Sequence, residues 1–333
     1  MISNTEQSSI DWLLEPSDIG VRYLAMRDLV KADGKELMSA KTKAHTEGPI
    51  AQVLAKMNTE GYWEKPGAGY NPKYTGTVWS IILLYQLGAS IEMEERIETA
   101  CYYLMEHTLT KDGHFTMSGL PSGTIDCLQG NLCAALLDLG VEDPRLDKAF
   151  EWMARSVTGE GIAPMGEKTA AVRYYSGKCG PKFTCGGNNK LPCAWGGVKV
   201  MLAFGKLPEE KRTLLINKAI KTGVDFLFST DPADADYPCG YNNKPSGNWW
   251  KFGFPVFYVT DLLQNVEALV GLGYGHDSRL ARTLKIVREK RDAQGRWLLE
   301  YDYTGKTWGV FGVKKQPNKW VTLRALRVLK ALE

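Results

Sequence analysis

Long apolar runs are missing from this chain. No segment approaches the ~18 uninterrupted apolar residues of a membrane-crossing helix, which predicts no membrane span. The opening residues, MISNTEQSSIDWLLEP, lack a basic patch leading into an apolar stretch, so no secretory leader is read there and a cytoplasmic location is expected. Blocks of about five or more like charges are also absent. With 41 Lys and Arg interspersed among 38 Asp and Glu, the net charge of +3 offers no footprint for nucleic acid. The 7 cysteines include no tight C-x2-C pair of the zinc-ribbon kind, and their odd number argues for reduced thiols or metal ligands rather than a disulfide framework. Histidine is scarce, at 4.

Repetition dominates what is present. TVWSIILLYQLG (77–88), DCLQGNLCAALLDLG (126–140), CAWGGVKVMLAFG (193–205) and TDLLQNVEALVGLG (260–273) are each apolar around most of a helical circumference and end on Gly. They read as helices buried on all sides and stopped by a left-handed residue. VRYLAMRDLV (21–30) and TLRALRVLKAL (322–332) are further copies without the Gly. Between them lie amphipathic segments, 50–63, 96–115, 145–162, 214–237 and 279–297, whose polar faces carry Lys, Arg and Glu at helical spacing. EDPRL and HDSRL lead into two of these, each with an Asp placed to cap the first turn. One inner and one outer helix per repeat predicts a single all-α domain over residues 1–333, an (α/α)6 toroid of six inner and about five to six outer helices.

The turns GYW, DGHF and QGRW follow outer segments. They resemble the aromatic-and-glycine motifs of the prenyltransferase and squalene-cyclase repeat superfamily, and almost the whole chain is similar to a bacterial terpene-cyclase-like single toroid. The resemblance implies the toroid and a funnel for a small molecule. Protein prenyltransferases of this superfamily hold zinc at the mouth with Asp, Cys and His, and lanthionine-forming cyclases with two Cys and a His. Asp126 and Cys127 match part of that pattern, and no Cys–His pair completes it. The run DPADAD (231–236) lacks the adjacent final pair of a cyclase acid motif and sits at the end of an outer segment.

Cys127, Cys193 and Asp261 begin their inner helices, so they are expected at one mouth of the ring. A long connection at about 165–192, rich in Gly, Lys and Asn, brings Cys179 and Cys185. Thiolates favour zinc, and a helix N-terminus lowers a thiol pKa. The expected metal ligands are therefore Cys127, Cys179, Cys185 and Cys193, with Zn²⁺ or, on the same ligand type, an iron–sulfur cluster. Burial as small core residues remains the alternative for Cys127 and Cys193. Asp261 and His114 are the candidate proton carriers, against capping for Asp261 and a solvated turn for His114, and Tyr74 and Tyr175 the candidate substrate-orienting groups. Tyr70, Trp79, Tyr174, Trp249, Trp250 and Tyr258 would line an aromatic pocket, with Arg173, Lys182 and Lys251 as its cationic side. These features predict a metal-dependent enzyme, a hydrolase or lyase, acting on a small, partly aromatic or isoprenoid molecule. An isoprenoid cyclase or transferase, and a non-catalytic binding module with a structural metal, are the alternatives.

Overall fold

The computed structural model describes residues 4–241 and 244–333. Its helices run α1 (Asn4–Leu13), α2 (Ile19–Ala25), α3 (Gly34–Thr46), α4 (Pro49–Leu54), α5 (Thr77–Gln86), α6 (Glu95–Thr108) and α7 (Asp126–Leu139). They continue with α8 (Pro144–Thr158), α9 (Ala194–Lys206), α10 (Leu214–Leu227), α11 (Leu262–Gly271), α12 (Ala281–Glu289) and α13 (Lys319–Lys330). α2, α5, α7, α9, α11 and α13 form the inner ring. From α5 to α13 neighbours pack in that order, and α13 returns to α2 while α1 lies against both α13 and α2. The structure is an all-α toroid, as the repeats predicted.

Inner and outer helices differ as their sequences do. Eight residues of α5, Thr77 to Leu84, are buried in succession, whereas α8 buries one side through Leu146, Ala149, Phe150 and Met153. Both Asp caps form: Asp143 accepts from the Arg145 backbone N–H at 2.8 Å and Asp277 from that of Arg279 at 2.9 Å.

The turns after the outer helices repeat atom by atom. Trp63 Nε1 donates to the Val53 carbonyl, and Trp297 Nε1 to that of Val287, at 2.8 and 2.7 Å. The Tyr237 hydroxyl reaches the Leu227 carbonyl at 2.7 Å, the same ten residues back, so the fourth copy keeps the contact with a different ring. The backbone N–H groups of Trp63, Phe115 and Trp297 donate to Thr77, Gln129 and Thr322 of the next inner helix. Each turn thereby fastens one repeat to the next. At Gly113, φ is 90° and a Cβ would lie 2.5 Å from the Lys148 carbonyl oxygen, so DGHF admits only Gly there.

Three details depart from the sequence reading. Gly88, Gly140 and Gly273 take the expected left-handed φ, but Gly205 lies inside α9, which runs on to Lys206 and stops before Pro208. Gly205 instead allows close approach to α11, since its Cβ would lie 3.3 Å from the Gly271 carbonyl carbon. The segment read as one outer helix at 50–63 is helical only through Leu54, and α3 precedes it. α2 runs on as a π-helical turn, Met26–Val30, closed by Lys31 at φ 50°. Among the described residues no helix is long and apolar enough to cross a membrane.

Candidate functional site

The connections at the N-terminal ends of the inner helices enclose a chamber of about 610 Å³. Aromatic walls come from Tyr70, Trp195, Trp249 and Tyr258. Trp195 and Tyr258 meet edge to face at 5.9 Å, and the Lys73 ammonium lies 5.4 Å from the Tyr258 ring and 5.8 Å from the Tyr70 ring. Trp79 is fully buried behind Tyr70 and holds its carbonyl through Nε1 at 2.7 Å. Trp249 is anchored through Nε1 to the Pro232 carbonyl at 2.9 Å. Burial pushes the Tyr70 phenol up to about 12. The Tyr258 phenol is raised by the nearby Cys127 and by burial. Both therefore stay protonated donors at neutral pH.

Asp126, in the first turn of α7, borders this chamber. A helix N-terminus ordinarily favours the carboxylate. Here burial prevails: Ser156 Oγ reaches Oδ1 at 3.3 Å, and among the described residues no side-chain or backbone donor within ordinary hydrogen-bond geometry reaches Oδ2. The carboxyl is pushed up to about 8, with hydrogen bonds from Ser156 and the Gly180 backbone acting weakly the other way. At neutral pH it is mostly a neutral acid. The Tyr174 hydroxyl donates to the Ser156 carbonyl at 2.7 Å and so holds the helix turn behind Asp126.

The same competition governs the thiols. Cys127, Cys185 and Cys193 line the chamber together with Cys239, whereas Cys179 is packed apart with Trp152, Ile162 and Tyr174 and donates to the Ser176 carbonyl at 3.4 Å. Burial raises Cys127, Cys179 and Cys185, and lifts Cys193 to about 11, against the lowering expected at a helix start. A two-residue hairpin, β1 (Thr184–Cys185) with β2 (Leu191–Pro192), sets Cys185 opposite Leu191. Among the described residues no group of three or more His, Cys, Asp or Glu side chains is placed to hold a metal ion. The expected centre of Cys127, Cys179, Cys185 and Cys193 thus gains no support from the geometry, either for zinc or for an iron–sulfur cluster.

The four expected catalytic groups do not line the chamber. Asp261 caps α11, accepting from the Gln264 N–H at 2.7 Å, and is tied to Arg324 at 2.9 Å. His114 is buried, 2.6 Å from Thr124 Oγ1 through Nδ1 and packed against Trp152 and Tyr175. Burial pushes its pKa down to about 4, so the candidate proton carrier is a neutral core ring, and not a solvated turn residue either. Tyr175 donates to Asp112 Oδ2 at 2.7 Å beneath the Arg173 guanidinium. Tyr74 belongs to an aromatic cluster with Trp79, Phe257 and Tyr303. Trp250 is fixed to the Ala233 carbonyl, and Arg173 binds the Met165 carbonyl. Lys182 and Lys251 are exposed and off the wall; the lysines that line it are Lys73 and Lys178.

Sequence reasoning also passed over Lys199. It is fully buried at the ring centre, donates to Gln264 Oε1, and is pushed down to about 7 by burial despite the opposing influence of Asp261 and Cys127. A lone charge within VKVMLAFG was the available signal.

No family model matches the chain, and no curated protein matches it in sequence. Among solved structures, a glycoside hydrolase family 76 mannosidase from Bacteroides thetaiotaomicron is similar over 98% of this chain and 86% of its own, with 10% identity and a TM-score of 0.47. So distant a likeness carries neither a residue role nor an activity.

Proposed function

We propose that the protein is an enzyme that cleaves a C–O bond in a small, partly aromatic or isoprenoid anion held in the rim chamber. The apolar part of the substrate packs on Trp195, Trp249 and Tyr258, and its negative charge faces Lys73 and Lys178. Asp126 gives its proton to the departing oxygen as the bond breaks. Capture of the carbon by water, which then returns a proton to the Asp126 carboxylate, makes the reaction a hydrolysis; loss of a neighbouring C–H proton to that carboxylate makes it an elimination. The observation that carries this reading is the Asp126 carboxyl, whose Oδ2 has no hydrogen-bond partner among the described residues and which borders an aromatic chamber.

The test is turnover of aromatic carboxylate esters and of prenyl diphosphates by the wild type and by Asp126→Asn and Lys73→Ala. General acid catalysis predicts a loss of about 100-fold or more in kcat for Asp126→Asn with KM little changed. Lys73→Ala should raise KM. Full activity in Asp126→Asn would remove the proposed role, and tight binding without turnover of any of these compounds would favour a binding module.

A further inference from the structure

The net charge of +3 conceals an uneven distribution. The connections that enclose the rim chamber, 64–76, 117–125, 163–192, 238–241 and 244–256, hold nine Lys or Arg against two acids, Glu64 and Glu167. Their net charge is +7, so the rest of the chain carries −4. Elsewhere on the surface cations are matched by acids, as in Lys41 with Glu92, Lys206 with Asp138 and Lys221 with Asp225. The eight lysines of the rim are all exposed, and among the described residues none of them is in an ion pair. Like charges gathered without counter-ions destabilise a fold by self-repulsion, so the arrangement points to an anionic partner.

Apolar side chains stand exposed on the same rim. Leu120, on the loop between Met117 and Ile125 of the chamber wall, is 63% exposed. Leu191 lies opposite Cys185 in the hairpin and is 39% exposed. Tyr241, whose hydroxyl reaches the Gly186 carbonyl at 3.4 Å, is 70% exposed. Val310 and Val313 are exposed on the connection into α13, at the same end of the ring. These side chains decide between anionic partners. A nucleic acid offers phosphates but no hydrocarbon for leucine, and the guanidinium forks that suit it best are represented in this rim by Arg173 alone. A small anion would satisfy the lysines and leave the apolar tips in water. A bilayer containing anionic lipid meets both, with headgroups for the ammonium groups and hydrocarbon for the leucines, while tyrosine suits the layer between.

We propose that this rim docks on the surface of an anionic bilayer, with Leu120, Leu191 and Tyr241 in the interfacial layer and the mouth of the chamber facing the lipid. The attachment is peripheral and spans nothing. An amphiphilic molecule can then pass from the bilayer into the chamber without crossing water. Docking does not depend on the reaction proposed for Asp126.

Co-sedimentation of the full chain with vesicles of phosphatidylcholine, alone or with about 30% phosphatidylserine, tests this. The serine-containing vesicles should bind at least about tenfold more tightly, and raising salt from about 0.1 M to about 0.5 M should weaken them. The triple variant Lys182→Glu, Lys190→Glu, Lys244→Glu should lose about tenfold or more. Lys148→Glu, Lys221→Glu, Lys285→Glu on the outer helices makes the same change in net charge and should bind as the wild type does. Leu120→Gln with Leu191→Gln, both at exposed positions, should lose about threefold or more. Absence of binding to the anionic vesicles, equal loss in the two lysine triples, wild-type affinity in the leucine pair, or tighter binding of a DNA oligonucleotide than of the vesicles would each overturn the proposal. Turnover without vesicle binding would remove the docking and leave the reaction standing.

Discussion

Asp126 stands where two influences oppose each other, the positive end of α7 and the loss of water on burial, and burial prevails. The consequence for stability has a definite sign. The native carboxyl holds its proton up to about 8, while an unfolded Asp releases it near 3.8. Stability from this group is therefore full below the unfolded value and is lost as pH rises toward 8, by up to about 1.4 kcal/mol per pH unit. Asp126→Asn cannot titrate. Calorimetric melting should show the variant gaining on the wild type between pH 4.5 and pH 8, by roughly 1 kcal/mol or more. A constant difference across that range would mean that the native carboxyl titrates normally. Sequence could place Asp126 and Cys127 at the start of a helix, and it did; it could not weigh desolvation, because the side chains that cover them come from α8, α9 and the loop that carries Cys179. The same blindness left His114 as a proton carrier or a solvated turn residue, where the structure buries it.

Elements were far more legible than sites. The inner helices announced themselves by continuous apolar circumference, and the caps at Asp143 and Asp277 by residue type. Gly205 misled because a glycine that ends a helix and a glycine that admits a neighbouring backbone look alike in sequence. Gly130 is of the second kind. A Cβ there would lie 2.4 Å from the Lys199 carbonyl carbon, because α7 and α9 touch backbone to backbone. Gly196, also within α9, would place its Cβ no closer than 3.5 Å to the Asp126 side chain. Both substitutions to Ala gain helix propensity of about 1 kcal/mol, but only Gly130→Ala must push two helices apart. Urea unfolding should find Gly130→Ala destabilised by about 1–3 kcal/mol and Gly196→Ala unchanged or slightly stabilised. Equal effects would mean that α7 and α9 are not in such close contact.

Closure of the ring gives the molecule its interior, and that interior is not wholly apolar. Arg324 on α13 reaches Asp261 and Glu267 of α11 and the Gly253 carbonyl, using all five guanidinium N–H groups. Removing it strands two carboxylates, so Arg324→Met should cost about 3–5 kcal/mol in denaturant unfolding. A loss below about 1 kcal/mol would mean that water reaches the pair. The repeat pattern disclosed the ring; of the three helix-start residues it expected at one mouth, Cys127 and Cys193 line the chamber there and Asp261 does not. It did not disclose which lysines face inward, since Lys73 and Lys178 lie in irregular connections whose path has no periodicity to read. It also gave no sign of a second cavity at the C-terminal end of the ring, lined from all six inner helices and by Phe254 and Val256.

The rim chamber is the claim on which the functional account turns. It is tested most directly by crystallography of the protein soaked with small aromatic carboxylates. The account predicts a ring lodged between Tyr70, Trp195 and Tyr258 with its carboxylate at Lys73 or Lys178 and its opposite edge toward Asp126. A chamber filled by its own side chains, or compounds bound everywhere except there, would contradict it.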